Sequence, residues 1–406
     1  MKVLMDGTVT AAQGFSAGAV ACGLKKAGQS DLMLVYSERP CTAAGVFTKN
    51  EIVAAPVIVD RETLASNGET IHGIAANAGN ANACTGQEGM TTACAMQEAA
   101  ADAYGQRSEE WLILSTGVIG VQLPLDKVKA GIQEAAGSLS ADGGMKAAEA
   151  IMTTDTRPKH IAVEIPMPDG TITIGGIAKG SGMIHPNMAT MLGIVTTDAA
   201  VPSAVLQKLL TRAVNQSFNC ISVDGDTSTN DTVLLLANGE SGVEVGNGDA
   251  LALFEEGLDF VCTELAKMIV RDGEGATKLA EIQITGAFSP SEAKKVAQTV
   301  ATSPLVKTAL AGSDANWGRI VAAAGRAGVP LKAEQLALWV STPGEKALKL
   351  LDRGGPTDYA EVDAAAVFAG DEIIIRLDLG DGEGEATMWT CDLTHEYVTI
   401  NADYRT

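Results

Sequence analysis

The residues best placed to do chemistry lie in the segment from Lys179 to Gly193, where a glycine-rich loop leads through a turn to Thr190. Thr190 opens the apolar run Met191 to Val195, which predicts a core strand. A threonine at the start of a buried strand is where an N-terminal nucleophile stands. Its hydroxyl attacks the preceding carbonyl, here that of Ala189, and hydrolysis of the resulting ester frees a new α-amino group. That amine, with a pKa of about 8, then serves as the base. A threonine that merely caps the strand is the open alternative.

The elements that must position this segment are mixed helices and strands. Short apolar runs separated by Gly, Asn and Ser clusters predict strands, and Ala-rich or amphipathic stretches predict helices. Strands are expected at Leu32 to Tyr36, Ala55 to Val59, Ile74 to Ala78, Trp111 to Leu114, Leu336 to Val340, Ile373 to Leu377 and Tyr397 to Ile400, and a hairpin joins Ile161 to Ile165 with Thr171 to Ile177. Helices are expected at Met90 to Ala103, Asp126 to Ala136, Gly143 to Met152, about Ala250 to Val270, Ser291 to Ala301 and behind Pro202.

Composition narrows the function classes. The 406 residues carry a net charge of -21, most of it on the C-terminal side of Ala189, and this acidity argues against nucleic acids and anionic membrane surfaces as partners. No apolar stretch reaches membrane-spanning length and no secretory signal pattern is visible, so a cytoplasmic protein is expected. Small molecules are the expected partners.

A metal site is not expected. The seven cysteines are scattered without a C-x-x-C spacing, and no two of the four histidines are close neighbours. The stretch Asp224 to Asp231 begins like a calcium loop, but its sixth position is Thr229 and its twelfth is Leu235, where such a loop has glycine and glutamate. It is interpreted as a polar turn that supports the active site.

Several further motifs, in order along nearly the whole chain, carry a resemblance. Together with the Thr190 segment they resemble the ornithine acetyltransferase family, also called the glutamate N-acetyltransferase family. The motifs are Ala44 to Asn50, Asn77 to Gly86, Ser115 to Gly120, Met152 to Thr156, Asp224 to Asp231, Gly273 to Lys278, Asp314 to Arg319 and Asn401 to Thr406.

The resemblance implies an α/β fold in which sheets are sandwiched between helix layers, as in related self-processing aminopeptidases, with a smaller C-terminal α/β region. It also implies cleavage between Ala189 and Thr190. The products would be an α chain, residues 1–189, and a β chain, residues 190–406, that share one intertwined structure. Two copies of each chain are expected to form an α2β2 assembly.

The implied reaction is ping-pong acetyl transfer. N-acetylornithine acetylates the Thr190 hydroxyl, ornithine leaves, and glutamate accepts the acetyl group. Acetyl-CoA is expected as a second donor, with no metal or other cofactor. The implied oxyanion hole is the Thr116 hydroxyl with the Gly117 N–H, a pair that could otherwise be an ordinary turn. The implied substrate contacts are Thr153, Lys179, Thr190, Glu274, Asn401 and Thr406.

Two other functions stay open at this point. A self-processed amidohydrolase or aminopeptidase would pass the acyl group to water, whereas a non-catalytic amino-acid-binding protein would never form an acetylated Thr190.

Overall fold

The structure is a computed structural model of the 406-residue chain, and it describes residues 1–185 and 191–403. Ala189, Thr190 and Thr406 therefore lie outside the described residues. The chain divides into two compact units. Unit 1 contains Met1–Asn219 and Asp226–Ile269, and unit 2 contains Cys220–Gly225 and the segment that begins at Val270.

Strands and helices are interspersed along the described residues. The strands are β1 Lys2–Leu4, β2 Phe15–Val20, β3 Leu32–Phe47, β4 Ile71–Asn80, β5 Trp111–Val118, β6 Lys159–Met167, β7 Gly170–Lys179, β8 Leu192–Thr197, β9 Ile221–Ser222, β10 Thr232–Ala237, β11 Leu279–Ala287, β12 Ala337–Ser341, β13 Leu348–Asp352, β14 Gly355–Pro356, β15 Glu372–Asp378 and β16 Gly384–Cys391. The helices are α1 Ala55–Asn67, α2 Gly86–Asp102, α3 Leu125–Ala136, α4 Gly144–Ala150, α5 Ser203–Gln216, α6 Gly248–Arg271, α7 Pro290–Ala301, α8 Pro304–Ala311, α9 Trp317–Gly325, α10 Glu361–Phe368 and α11 His395–Asp403.

Unit 1 is built on a sheet with the order β1-β6-β7-β8-β10-β3-β4-β5, in which β2 also pairs with β3. The long strand β3 belongs to two segments of this sheet. Its first half, from Leu32, lies between β2 and β4, whereas Thr42 to Phe47 pair with β10. Both segments contribute apolar side chains to one buried cluster, which includes Met33, Ile74 and Leu192. The two segments are therefore layers that face each other across a shared core.

Helices cover both outer faces of these layers. Beyond β4 and β5, α2 and α3 contribute Met96 and Ile132 to a second buried cluster. On the opposite side, α6 packs against β7 so closely that a Cβ on Gly176 would lie 2.8 Å from Leu265 Cδ1. Unit 1 is thus an α/β sandwich of two sheet layers between helix layers, which confirms the predicted fold class.

Unit 2 has its own sheet and core. Its sheet has the order β14-β13-β12-β15-β11-β16-β9, with β11 parallel to β15 and antiparallel to β16. Buried side chains of β11 and α7, among them Ile282 and Val296, belong to a single cluster. This unit is the smaller C-terminal α/β region that was expected.

The sequence-based assignment of elements is correct in most places and wrong in two. The hairpin is confirmed as β6 and β7, which pair antiparallel. The strand predicted at Ala55 to Val59 is the start of α1, because Pro56 stands in the first helical turn, where its fixed φ favours a helix. The strand predicted at Tyr397 to Ile400 lies inside α11, where the side-chain amide of Asn401 also donates to the carbonyl oxygen of Tyr397.

Candidate active site

One end of the sheet in unit 1 gathers polar residues around Met191, the residue that follows the predicted nucleophile in the sequence. In this register Lys179 pairs with Leu192, and Leu192 pairs with Thr232. The residues just outside these pairs, Met191 and Asp231, are therefore neighbours. Because Met191 follows Thr190 directly, this sheet end is where the chain after the predicted cleavage point enters the core.

Asp231 binds the backbone of Met191 at this end of the sheet. Its Oδ1 accepts a hydrogen bond from the N–H of Met191 at 3.0 Å, and the side chain is fully buried. The Thr48 hydroxyl donates to the carbonyl oxygen of Ser228, and no donor within the described ranges reaches Oδ2 of Asp231. Burial raises the pKa of Asp231 to about 8, against the opposing effect of the Met191 N–H. The carboxyl is therefore mostly protonated at neutral pH.

The Thr116-Gly117 turn lies at the ends of β4 and β5. Gly117 pairs with Gly79 and has φ +133°, a conformation that favours glycine. A Cβ on Gly117 would lie 2.5 Å from the backbone nitrogen of Asn80 and closer still to the carbonyl carbon of Gly79. The glycine therefore allows two backbones to meet, and Thr116 beside it is buried.

A network of asparagine side chains fixes this turn. Asn80 donates to the carbonyl oxygen of Val121 at 3.1 Å, and the Ser115 hydroxyl donates to Asn77 at 2.6 Å. Asn230 donates to the carbonyl oxygens of Ala81 and Ser115, at 2.7 and 2.9 Å. Since Asn230 immediately precedes Asp231, one short segment supports both the Thr116-Gly117 turn and the backbone of Met191.

Asp155 joins two of the predicted substrate contacts. It accepts hydrogen bonds from the backbone N–H of Thr153 at 2.9 Å and from that of Gly180, the residue after Lys179, at 2.7 Å. Lys159 forms an ion pair with it at 2.6 Å, and both side chains are buried. Burial alone would raise the pKa of Asp155, but Lys159 and Lys179 lower it to about 2. Thr153 and Lys179 are thus held by one permanently charged carboxylate.

Glu274 and Asn401 meet within unit 2. Asn401 donates to Glu274 Oε2 at 2.7 Å. The loop that carries Glu274 is held by the Thr394 hydroxyl, which donates to the carbonyl oxygen of Gly275 at 2.7 Å. Gly275 has φ +69°, and a Cβ there would lie 2.6 Å from the backbone nitrogen of Tyr397, so the loop lies directly against α11.

The structure therefore groups the predicted residues in three sets. Thr116 lies with Gly117, Thr153 is linked to Lys179 through Asp155, and Glu274 binds Asn401. Sequence reasoning missed Asp155, although it lies in one of the motifs, and it treated Asp231 only as part of a polar turn. The signal in the sequence was that Asp155 is a carboxylate inside a family motif, yet the resemblance assigns it no substrate contact.

Neither a metal site nor a membrane span is found in the part of the chain that the structure describes. No group of three or more His, Cys, Asp or Glu side chains there could hold a metal ion. None of the helices over the same residues is long and apolar enough to cross a membrane.

Comparison with known proteins identifies the family. A sequence profile of the ArgJ family matches residues 16–406. The chain belongs to the ArgJ family. The arginine biosynthesis bifunctional protein ArgJ of Symbiobacterium thermophilum is 50% identical to it, over 99% of both chains. The protein of the same name from Dehalococcoides mccartyi is 46% identical, over 100% of this chain and 99% of its own.

A solved structure is also similar to part of the chain. The ornithine acetyltransferase of Mycobacterium tuberculosis, complexed with ornithine, is 41% identical, with a TM-score of 0.43 over 46% of this chain and 97% of its own. The ArgJ family is the one that the motifs indicated, so the resemblance stated from the sequence is confirmed.

Proposed function

We propose that this protein is an acetyltransferase of arginine biosynthesis that moves an acetyl group from N-acetylornithine to glutamate through an acetyl ester on Thr190. Membership of the ArgJ family and the shared name of the relatives, arginine biosynthesis bifunctional protein, support this function. The supporting observation in the structure is the segment Asn230-Asp231, which holds both the Thr116-Gly117 turn and the N–H of Met191.

The first half-reaction forms the ester. The Thr190 hydroxyl attacks the acetyl carbonyl of N-acetylornithine, and the α-amino group of Thr190 takes the hydroxyl proton. Negative charge develops on the carbonyl oxygen, where the Thr116 hydroxyl and the Gly117 N–H stabilise it. The C–N bond then breaks, the leaving nitrogen takes the proton from the α-ammonium group, and ornithine departs.

The second half-reaction reverses these roles. The neutral amine of glutamate attacks the acetyl ester, the same donors stabilise the oxyanion, and the C–O bond to Thr190 breaks. The α-amino group of Thr190 takes the proton that the attacking nitrogen loses and passes it to the Thr190 oxygen, and N-acetylglutamate leaves. We propose that Lys179 and Glu274, which carry opposite charges, bind a substrate that carries a carboxylate and an ammonium group. Thr153, Asn401 and Thr406 complete the proposed substrate contacts.

A second donor extends this proposal. The word bifunctional in the relatives' names supports acetyl-CoA as an alternative source of the acetyl group. The ester on Thr190 and its transfer to glutamate would be unchanged, and the thiol of CoA would leave in place of ornithine. Incubation with acetyl-CoA and glutamate, with detection of free thiol, tests this. No thiol release above that of the Thr190→Ala variant would exclude acetyl-CoA as a donor.

Self-cleavage tests the nucleophile. On denaturing electrophoresis the wild-type protein should give two fragments of about half the chain length, cut between Ala189 and Thr190. Thr190→Ala should remain whole, whereas Thr190→Ser should cut partially because it keeps a hydroxyl. Two fragments from Thr190→Ala would disprove the assignment.

Product analysis tests the reaction. With N-acetylornithine alone, intact-mass measurement of the β chain should show one added acetyl group, and glutamate should remove it as N-acetylglutamate. Equal rates of ornithine release with and without glutamate would instead indicate an amidohydrolase. Absence of the acetylated chain would indicate a binding protein. Native mass spectrometry of the cleaved protein tests the proposed α2β2 assembly, and fractionation of source cells tests the proposed cytoplasmic location.

A further inference from the structure

A short loop between β2 and β3 lies beside the Thr116-Gly117 turn. The buried carboxylate of Asp31 accepts hydrogen bonds from four successive backbone N–H groups of this loop, at 2.7, 3.0, 2.6 and 3.0 Å. Four donors on one carboxylate hold the loop in a single conformation and stabilise the charged form of Asp31. The donors are Cys22, Gly23, Leu24 and Lys25.

The loop contacts the turn through Gly79. The carbonyl oxygen of Leu24 is 2.8 Å from the position that a Cβ on Gly79 would occupy. Gly79 in turn pairs with Gly117. The N–H of the neighbouring Ala78 donates to the carbonyl oxygen of Asp31 at 2.8 Å. The loop is thus fixed against the proposed oxyanion hole.

Lys25 extends from this loop towards the proposed substrate contacts. Its ammonium group donates to the carbonyl oxygens of Ser30 at 2.9 Å and Ala150 at 2.8 Å. Ala150 is the last residue of α4, three positions before Thr153. An ammonium group has three protons, and these two carbonyls are its acceptors among the described residues. One N–H of a half-buried cation is left for another acceptor.

The two carboxylates that act on Lys25 are both engaged by other donors. Asp31 accepts from the four backbone N–H groups of the loop. Burial lowers the pKa of Lys25, Asp31 and Asp155 oppose that shift, and Lys179 adds to it, so that the pKa is about 8. Asp155 is already engaged by Lys159. Within the described ranges neither carboxylate forms an ion pair with the Lys25 ammonium group, so an anionic ligand would supply the acceptor that its remaining N–H lacks.

From this placement we infer that Lys25 is a specificity-determining residue that binds the carboxylate of the amino-acid substrate, as a second cation beside Lys179. This inference rests on the proposed function, since the substrates of that reaction carry the carboxylate. It gives a role to a half-buried lysine whose third N–H has no acceptor among the described residues, at a position where a neutral side chain could satisfy the two carbonyls.

A comparison of substrates with and without the carboxylate tests this inference. The probes are N-acetylornithine and its α-carboxamide, which differ in that negative charge. In Lys25→Met, kcat/KM for N-acetylornithine should fall roughly 10- to 150-fold, mainly through KM, as expected for the loss of a charge-assisted hydrogen bond. Its kcat/KM for the carboxamide should change much less. The exposed neighbour Lys26 provides the matched control, because Lys26→Met should leave both values unchanged.

The pH dependence gives a second readout. Lys25 loses its charge as the pH rises through about 8. In the wild-type protein, the ratio of kcat/KM for N-acetylornithine to that for the carboxamide should therefore fall between pH 7 and 9. Lys25→Arg stays charged over this range and should hold the ratio constant. Taking the ratio cancels other enzyme groups that act on both substrates.

The outcomes are distinguishable. Equal losses for both substrates in Lys25→Met would show that Lys25 only supports the loop, and would overturn the inference. If that variant does not fold, a wild-type ratio that stays constant from pH 7 to 9 overturns it, and a falling ratio supports it. Wild-type protein that forms no acetylated Thr190 contradicts the proposed function itself, independently of Lys25.

Discussion

The close approach of two backbones at Gly117 makes a quantitative prediction. In Gly117→Ala, the new methyl group would lie 2.5 Å from the backbone nitrogen of Asn80, so β4 and β5 must separate at this point. The φ of +133° adds a strain of about 1–3 kcal/mol for an L-residue, and overpacking adds about 1–3 kcal/mol. The free energy of unfolding should therefore fall by about 2–6 kcal/mol. Displacement of the proposed oxyanion donors should lower kcat about 10²- to 10³-fold.

Gly120 supplies the matched control for that substitution. It has φ +78°, yet nothing lies within 4 Å of the position that its Cβ would take. Gly120→Ala should therefore show only the backbone strain, about 1–2 kcal/mol, with kcat near the wild-type value. Urea unfolding and steady-state acetyl transfer measure both effects. If the two variants unfold at the same midpoint, the steric argument fails. If Gly117→Ala keeps full kcat, Gly117 is not part of the oxyanion hole.

Two buried carboxylates give further predictions. Because the fold raises the pKa of Asp231 to about 8, the folded state binds a proton that the unfolded state has lost, and stability falls as the pH rises from about 4 to 8. Asp231→Asn should flatten the dependence of the free energy of unfolding on pH by up to about 1.4 kcal/mol per pH unit. Urea unfolding between pH 5 and 8 measures this dependence, and an unchanged slope would contradict the prediction. Lys159→Met leaves Asp155 buried without its ion pair and should lower the free energy of unfolding by about 3–5 kcal/mol, whereas Lys2→Met, in an exposed ion pair, should have little effect. Equal losses from the two lysine variants would refute the argument from burial.

Local sequence patterns predicted most elements of the fold because burial imposes a regular spacing on apolar residues. The run from Trp111 to Leu114 is a buried strand, and the alternation on both sides of Asp169 is a hairpin. The prediction failed at Tyr397 to Ile400, where β-branched and aromatic residues favour a strand. The segment is helical instead, and the Tyr397 hydroxyl donates to Asp224 at 3.2 Å, a contact distant in sequence that local propensity does not encode.

The candidate site was predictable in its residue types but not in its connections. The family resemblance singled out Thr116, Lys179 and Glu274, which taken one by one could equally be turn or solvated surface residues. The contact of Asp231 with Met191 joins residues 40 positions apart, and that of Asn230 with Ser115 joins residues 115 apart. No local period encodes such pairs, because they arise from the order of strands in the sheet.

The same strand order bears on what a cut before Thr190 would do to the protein. Strands β8 and β10 come after the proposed cut, and they lie between β7 and β3, which come before it. Every residue of β8 pairs with β10 on one side and with β7 on the other, and all six residues of β10 pair with β3. Separation of the two chains would therefore break two ladders of backbone hydrogen bonds in the middle of a buried sheet and leave their N–H and C=O groups without partners, which is costly. The proposed cleavage can thus free the amine of Thr190 while Asp231 keeps its hold on the N–H of Met191.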